Sequence, residues 1–474
     1  MFNSIDSNNP LLKQIKSLFN EKELVSLTRT LVNIPSFTCQ KDRYCIVKPL
    51  TSYCRKHKLK FCEVPLDIES FPELQGELGE NLSFRLNAKS CYESIHRSVI
   101  VRIDPYELCV EYCKKVDNQY LLGILEREHN PVAIKHIGFS CSIESADSFS
   151  GFKQRQLYGR FMQHVINYSY RNRRIYGSGV SCCKASLATC LYTFSLFTKF
   201  FYQCTHTSNP LKLSERTFEL YLRTFAELPC LYLFLLTDSR RENQGVISVS
   251  QTGIINKLDV WVVAEPTQNR ICTFSKKFYR IVIKILEDGF LFESNGLSRC
   301  ECNFHVFGLC TVMKKFADLQ KEVYDNLATR NIIVRFRNSL LSLYNLSAPY
   351  VAVSLLDIYA DDCLSSKYLC QQIDDILSLT HKLVGKVVFE REIGFISREP
   401  DHAQYEFWYN RLRRAYEEII PVEQQRVACE LEYYDSDIGF LKSCGLPLLF
   451  IGPGQHVKLV NNDEYIELDR MKHA

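Results

Sequence analysis

Glu265 is the residue whose position most directly suggests chemistry. It follows the apolar run Val260-Trp261-Val262-Val263-Ala264, a pattern that predicts a buried strand. A carboxylate can hold a metal ion or take a proton from a metal-bound water. Because a carboxylate buried without a partner is costly, the sequence predicts a compensating charge beside Glu265.

The cysteines and one histidine are further candidates for ligand chemistry. The 21 cysteines are scattered, which argues against a disulfide framework, and Cys182-Cys183 lacks the two-residue spacer of redox and zinc-finger motifs. We therefore interpret Cys182 as a buried thiol that faces a neighbouring helix, with a new zinc ligand as the alternative. His136, on an apolar run, is interpreted as a hydrogen-bonded core histidine, with a metal ligand as the alternative.

Composition limits the classes of function. The chain has 474 residues, too many for one ordinary core, so two compact units with insertions are expected, and its 46% hydrophobic content is enough to fill them. The 58 basic and 54 acidic residues give a net charge of +4 without a basic block, so no nucleic-acid partner is expected. We expect a small molecule or a protein as the partner.

Targeting and membrane segments are not expected either. The segment Met1–Asn20 carries Asp6 and polar side chains without a long apolar core, unlike a secretory signal or a transit peptide. No run approaches the ~20 apolar residues of a membrane helix. The sequence therefore predicts a cytoplasmic protein with mostly reduced thiols and no membrane partner.

The apolar pattern predicts helices and strands that alternate around a largely parallel sheet. Helices are predicted at Glu23–Ile34, Leu50–Leu59, Lys184–Phe197, Leu213–Ala226 and Tyr405–Ile419, and strands at Val132–Phe139, Leu228–Leu236, Val260–Ala264 and Pro447–Ile451. Between Pro65 and Asn130 the pattern weakens. We expect an elaborated surface region there, with candidate strands at Ser98–Ile103 and Tyr120–Ile124.

The pattern changes after Thr267. Strands are predicted at Phe278–Ile285 and Val351–Tyr359, and helices at Phe304–Val323 and Lys367–Leu383. We interpret this block as a small α+β domain inserted into a larger α/β domain.

Five short stretches carry motifs in a consistent order. They are Glu23–Thr38, which contains Ile34-Pro35-Ser36-Phe37-Thr38; Ile175–Ala188; Thr237-Asp238-Ser239-Arg240; Ala264-Glu265-Pro266-Thr267; and Leu446–Gly454 followed by Asn462-Asp463-Glu464-Tyr465. The first stretch resembles I-P-S-x-T and the second resembles L-Y-G-R-G-x-x-D-M-K-G-G-L-A. The third resembles T-x-D-E-E and the fourth resembles G-E-P-T. The last resembles I-P-x-x-x-F-G-P-G followed by H-x-x-D-E-Y. Over most of its length the chain therefore resembles the acetylornithine deacetylases, succinyl-diaminopimelate desuccinylases and carboxypeptidase-G-type zinc peptidases.

The resemblance implies a domain arrangement. A zinc-peptidase-like α/β domain with a mixed, largely parallel sheet would comprise residues 1–275, with insertions near 65–130 and 145–173, and residues 385–474. A smaller α+β lid, residues 276–384, would interrupt it. Because such lids often mediate dimerisation, a homodimer or a heterodimer with an active relative is expected.

The resemblance also shows which zinc ligands are replaced. In the family, two zinc ions share a bridging aspartate, which corresponds to Cys182, and a thiolate cannot supply two oxygens to two metals. The general base corresponds to Ser239. The adjoining metal-binding glutamate corresponds to Arg240, which stays protonated and has no lone pair to offer. Glu265 is the one ligand that is clearly retained.

The remaining ligand positions are less regular. The histidine and aspartate of the first strand align either with Phe139 and Cys141 or with His136 and Gly138, and both alignments lose the carboxylate. The late histidine corresponds to Val460. One carboxylate cannot bind a dinuclear centre, so we predict that Arg240 forms an ion pair with Glu265 in the former metal site.

Three functions are compatible with these residues. The leading hypothesis is a non-catalytic relative that serves as a binding or partner subunit and needs no cofactor. The alternative is a diverged zinc hydrolase that cleaves N-acyl amino acids or small peptides through Cys141, Cys182, His136 and Glu265, with Glu242 as a new base. A small-molecule sensor that uses the vacated cleft is the third.

Overall fold

A computed structural model gives the architecture. It describes residues 17–34, 46–65, 97–143, 169–177, 179–206, 215–237, 244–273, 276–287, 333–341, 350–360, 387–396, 398, 400–420, 429–430, 438–455 and 464–473, with residues 321, 325, 367, 368 and 371. The structural findings concern these residues.

Ten described α-helices cover the sheets or pack between them. They are α1 (Glu21–Val32), α2 (Val47–Lys56), α3 (Pro105–Lys115), α4 (Gln119–Glu128), α5 (Ala185–His206), α6 (Glu215–Ala226), α7 (Gln244–Gln251), α8 (His402–Ile419), α9 (Ile438–Ser443) and α10 (Leu468–His473). A π-helical turn, Val180–Lys184, leads directly into α5, and a short 3₁₀ helix spans Ile255–Lys257. The helices predicted near residues 23–34, 184–197, 213–226 and 405–419 are confirmed.

Fifteen strands are described. They are β1 (Lys60–Pro65), β2 (Arg97–Ile103), β3 (His136–Ser142), β4 (Ser169–Arg171), β5 (Arg174–Tyr176), β6 (Cys230–Leu236), β7 (Val260–Val263), β8 (Cys272–Thr273), β9 (Lys277–Glu287), β10 (Ile333–Leu341), β11 (Tyr350–Ala360), β12 (Val387–Ile396), β13 (Cys429–Glu430), β14 (Leu448–Phe450) and β15 (Tyr465–Glu467).

The central sheet has eight strands in the order β1-β2-β6-β3-β7-β14-β8-β13. Its middle strands β6, β3, β7 and β14 are parallel to one another, whereas β1 with β2, β2 with β6 and β14 with β8 are antiparallel. The strand pairing itself confirms the expected α/β class with a mixed, largely parallel sheet. In such a sheet the carboxyl ends of the parallel strands share one edge, where sites commonly form.

A second, antiparallel sheet has the strand order β10-β11-β9-β12. Three of its strands fall within residues 276–384, and the fourth, β12, comes from residues beyond 384. Lys321, Lys367, Tyr368 and Gln371 have helical conformation, and the rest of the two helices predicted there lies outside the described residues. Phe278 and Tyr359 join the second sheet to the core beside α9, where the Phe278 ring lies against Gly439.

Alternation along the central strands builds a core on both faces of the sheet. In β6, Leu233 and Leu235 pack into the cluster that contains α1, α2 and α5, while Tyr232 and Phe234 pack into the cluster on the opposite face. Because successive strand residues point to opposite faces, a continuous apolar run such as β6 is expected only where both faces are covered.

The region between Pro65 and Asn130 departs from the expectation in its described part. β2 is an inner strand of the central sheet, and residues Tyr120–Ile124 are helical rather than a strand. Asn118 caps α4 through a hydrogen bond from the Leu121 N–H to its side chain at 2.9 Å. A short apolar run fits a strand or one face of a helix equally well, so the cap decides the structure.

The strand predicted from Val132 begins only at His136. Residues 131–133 form a turn, and the Val132 side chain is 92% exposed. One described segment, Val180–Gln203, is long and apolar enough to cross a membrane, but 78% of its apolar 18-residue window is buried inside the fold. Such burial is typical of a core helix.

Candidate functional site

The loop that leads into α5 is built around the carboxylate of Glu464. This carboxylate accepts hydrogen bonds from the backbone N–H groups of Gly179 at 2.8 Å, Ser181 at 2.8 Å and Cys182 at 3.3 Å. The Glu464 carbonyl accepts a further bond from the Gly177 N–H at 3.1 Å. A residue near the end of the chain therefore holds the loop of the Ile175–Ala188 motif.

Two glycines allow this loop to form. Gly179 has φ +74°, in the left-handed region where side chains are disfavoured, and the rare π-helical turn Val180–Lys184 follows it. Gly454, in the last motif, lies so close that a Cβ atom there would sit 1.8 Å from the Ser181 carbonyl oxygen. The Ser181 hydroxyl donates to the Gln455 carbonyl at 2.8 Å and accepts from the Gln455 N–H at 3.1 Å.

The electrostatics of Glu464 reflect its enclosure. Burial raises the pKa of Glu464 to about 7, and the nearby Cys182 side chain acts in the same direction. The three backbone donors oppose this rise because they stabilise the ionised carboxylate. Since its oxygens are engaged by the loop, Glu464 orients the loop and is not a free ligand.

Lys184 ties the same loop to the first motif. Its side chain is 1% exposed, and its ammonium group donates to the carbonyls of Ile34 at 2.9 Å and Val32 at 3.4 Å, at the end of α1. Burial lowers the pKa of Lys184. The two carbonyls compensate the buried cation, since helix carboxyl ends carry partial negative charge.

Several thiols lie where β3 ends and α5 begins. The Cys141 thiol is buried, and the thiols of Cys190 and Cys183 and the Glu265 carboxylate lie close enough to affect its pKa. Cys182 and Cys183 have their sulfurs 3.8 Å apart and approach the Gly179 carbonyl oxygen at 3.6 and 3.5 Å. The neighbouring Cys190 thiol and burial raise the pKa of Cys141 well above its usual value, so Cys141 is a neutral thiol at pH 7, whereas zinc binds the thiolate.

Glu265 lies two residues beyond β7, at the carboxyl edge of the sheet. Its N–H donates to the Val263 carbonyl at 2.9 Å, and its own carbonyl accepts from the Thr267 N–H at 2.8 Å. Gly452 comes so close that a Cβ atom there would lie 2.3 Å from the Glu265 carbonyl oxygen. The structure thus brings Glu265 and Cys141 together and places the Cys182-Cys183 turn beside them.

His136 and Phe139 occupy different places. His136 is the first residue of β3, five residues before Cys141, which at ~3.3 Å per residue puts the two about 17 Å apart along the strand. The backbone N–H of His136 donates to the Asp259 carboxylate at 2.8 Å, the ring lies beside Tyr232, and burial lowers its pKa. The residue is half-buried and its ring Nδ1 has no hydrogen-bond partner among the described residues, so the expectation of a hydrogen-bonded core histidine is wrong for this nitrogen. Phe139 packs edge to face on Phe194 of α5 at 5.9 Å.

The other replaced positions cannot be located in the described part of the chain. Ser239, Arg240 and Val460 all lie outside the described residues, as does the alternative base Glu242. The Arg240–Glu265 ion pair therefore stays a prediction.

The described residues do not fit a dinuclear zinc centre. Among them, no group of three or more His, Cys, Asp or Glu side chains is arranged to hold a metal ion. Burial and the neighbouring Cys190 thiol keep Cys141 in its neutral form, and the Glu464 carboxylate accepts hydrogen bonds from three backbone N–H groups. Of the described residues singled out from the sequence, Glu265 alone brings a carboxylate to this edge.

Several solved structures are similar to this chain at low sequence identity. The crystal structure of the Bacillus subtilis YXEP protein, a dinuclear metal binding peptidase from the M20 family, has TM-score 0.49 and 10% identity and covers 96% of this chain and 95% of its own. Aminopeptidase PepT from Bacillus cereus has TM-score 0.47 and 13% identity, with 96% of each chain covered. The di-peptidase Dug1p from Saccharomyces cerevisiae has TM-score 0.49 and 9% identity, with 98% of this chain and 95% of its own covered.

No protein-family profile and no curated protein matches the sequence. The likenesses to solved structures concern the arrangement of the chain and assign no activity to it.

Sequence reasoning missed two residues that organise the site. Glu464 and Lys184 both fall within the recognised motifs, but neither was given a role. The residues next to Glu464 in the sequence give no sign that its carboxylate is buried, because its hydrogen-bond partners are distant in the chain. The useful signal is the presence of an ionisable residue inside a glycine-rich motif, because a buried charge must find partners.

Proposed function

We propose that this chain is a non-catalytic relative of the zinc-dependent amide hydrolases and acts as a binding or partner subunit. The observation that carries the proposal is the buried Cys141 thiol, which occupies the end of β3 beside the end of β7 that leads to Glu265, at the carboxyl edge of the sheet. A hydrolase of this type needs carboxylates there to bridge its metals and to activate water. A neutral thiol performs neither role.

The Cys182 position supports the same conclusion. Its backbone N–H is held by Glu464, and its sulfur faces the Gly179 carbonyl and Cys183. A bridging ligand must present two oxygens to two metal ions, and this side chain presents one sulfur directed into the turn. The loop is therefore kept in a defined shape without the group that would make it catalytic.

Metal analysis tests the proposal. Protein purified without chelator and dialysed against zinc should contain far less than one zinc per chain by elemental analysis. Glu265→Gln is the matched variant, and it should leave any residual zinc unchanged, as expected for scattered surface binding. One or two zinc ions per chain that are lost in Glu265→Gln would support the diverged hydrolase instead, and hydrolysis of N-acyl amino acids or dipeptides should then be sought.

Association is part of the proposal. In the described part of the second sheet, β10 and β12 are the outer strands and each pairs on one side only. Unpaired strand edges offer backbone donors and acceptors to a partner. Light scattering after size-exclusion chromatography should give twice the mass of the chain for a homodimer, and the monomer mass would direct the search to an active relative as partner.

The proposal also places the protein in the cytoplasm. None of the cysteines whose side chains the structure describes forms a disulfide, which agrees with a reducing compartment. Fractionation of cells that express the tagged chain tests this location.

A further inference from the structure

A cavity of about 310 Å³ lies at the opposite edge of the central sheet from Cys141 and Glu265. It is lined by residues of the segment that leads into β3, among them His129 and Ile134, and by residues of the segment that leads into β6, among them Arg223 on α6 and Glu227. Because β3 and β6 are parallel, these residues share the amino edge of the sheet. The cavity is therefore separate from the former metal site.

The size and floor of the cavity suit a small organic molecule. Leu125 and Ala226, 3% and 7% exposed, and the half-buried Ile134 give it an apolar floor. Its volume is at the lower end of the ~300–1,000 Å³ usual for ligand pockets. A molecule the size of one aromatic ring with a short substituent would fit within it.

The charge around the cavity favours a cation. Helices α4 and α6 both end there, so their last carbonyls direct partial negative charge toward it. Arg223 is engaged by Glu128, through two bonds of 2.8 and 2.5 Å, and by Glu219 at 3.8 Å. The Glu227 carboxylate also lines the cavity, and it forms no ion pair with any described residue.

An aromatic wall adds a second feature that suits a cation. The rings of Tyr106 and His129 are stacked with centroids 3.5 Å apart and planes at 17°, and both residues line the cavity. Aromatic rings attract ammonium groups, by about 0.5–1 kcal/mol at exposed sites. An anion would meet Glu227 and two helix carboxyl ends, and would be disfavoured.

We propose that this cavity, hereafter the amino-edge cavity, binds an organic ammonium ion that carries a small apolar group. The apolar part lies on the floor formed by Leu125, Ala226 and Ile134. The ammonium group lies between Glu227 and the Tyr106–His129 wall. This proposal does not depend on whether the carboxyl edge is catalytic.

Benzylammonium is the probe that tests the proposal, with benzyl alcohol as its neutral counterpart of similar shape. Calorimetric titration of the full chain to about 5 mM ligand, at the weak limit of measurable affinity, should show saturable binding of benzylammonium. Benzyl alcohol should bind at least about threefold more weakly, since it lacks the charge. Equal affinities, or no binding of benzylammonium in this range, would overturn the proposal.

Variants locate the binding. Glu227→Gln should weaken binding by about three- to fivefold, the effect of one exposed charge pair. Glu417→Gln, which makes the same charge change on α8 outside the cavity, should have no effect. Ala133→Trp, at an exposed lining position where folding tolerates a large side chain, should abolish binding. Unchanged binding in both Glu227→Gln and Ala133→Trp would show that the ion binds elsewhere.

Discussion

The carboxylate of Glu464 lies 2.8 Å from the backbone nitrogen of Ser181, so the end of the chain fixes the loop that begins α5. The same loop is tied to α1 by Lys184 and to the last motif by Ser181 itself. Each of these contacts joins segments that are distant in sequence. The loop at the carboxyl edge is therefore held in place by contacts from three separate parts of the chain.

Glu464→Ala tests how much this scaffold depends on one carboxylate. The substitution leaves the N–H groups of Gly179, Ser181 and Cys182 without their acceptor, and each buried unsatisfied group costs about 1–3 kcal/mol. We expect the free energy of unfolding to fall by about 3 kcal/mol in denaturant titrations. Glu467→Ala, at an exposed ion pair with Arg174, should cost under about 1 kcal/mol. Equal losses in the two variants would show that the loop does not rely on Glu464.

The pKa of Glu464 predicts a pH dependence. It is about 7 in the folded protein, above the usual 4.5, so folding favours the protonated group. The stability that protonation provides is fully present below about pH 4.5 and is lost as the pH rises through 7. The loss is at most about 3 kcal/mol.

Glu464→Gln isolates this effect, because glutamine resembles the protonated carboxyl group and does not titrate. As the pH rises from 4.5 to 7.5, the unfolding free energy of the wild type should fall relative to that of Glu464→Gln. A difference that stays constant over this range would mean that the backbone donors outweigh burial and keep the carboxylate ionised.

The sequence predicted most of the central sheet because its strands are continuous apolar runs. β6 and β7 are buried on both faces, and a strand buried on both faces appears in the sequence as a continuous apolar run. The strand prediction for Tyr120–Ile124 is wrong because a five-residue run with four apolar side chains fits both periods, and the deciding contact is the Asn118 cap. The contacts of Glu464 and Lys184 could not be predicted from local pattern, since each joins residues far apart in the chain.

Gly454→Ala tests the contact between the last motif and the loop. A Cβ atom at Gly454 would overlap the Ser181 carbonyl oxygen at 1.8 Å, and backbone cannot move aside as a flexible side chain can. We expect a loss of more than about 2 kcal/mol in unfolding free energy. Gly123→Ala is the matched control, because Gly123 lies within α4 with nothing within 4 Å of the added atom.

Gly123→Ala should instead stabilise the protein by about 0.5–1 kcal/mol, since alanine favours a helix interior over glycine. Opposite signs for the two substitutions, measured by the same thermal and denaturant unfolding, would support the close approach. A small effect of Gly454→Ala would indicate that the last motif and the loop are farther apart in solution.

The Arg240–Glu265 ion pair is the remaining prediction about the former metal site. Glu265 stands at the carboxyl edge next to a neutral thiol, and its charge contributes to the raised pKa of Cys141. Glu265 is half-buried, and Arg240, which belongs to the motif that would otherwise supply a metal ligand, is the cation predicted to lie beside it. Removing one partner of a buried pair costs about 3–5 kcal/mol, whereas an exposed pair is worth under about 1 kcal/mol.

Arg240→Ala should therefore lower the melting temperature clearly, and Arg240→Ala combined with Glu265→Gln should recover part of the loss, because the second change removes the unpaired charge. Unchanged stability in the single variant would show that the two side chains are not buried together, and another group would then have to compensate Glu265.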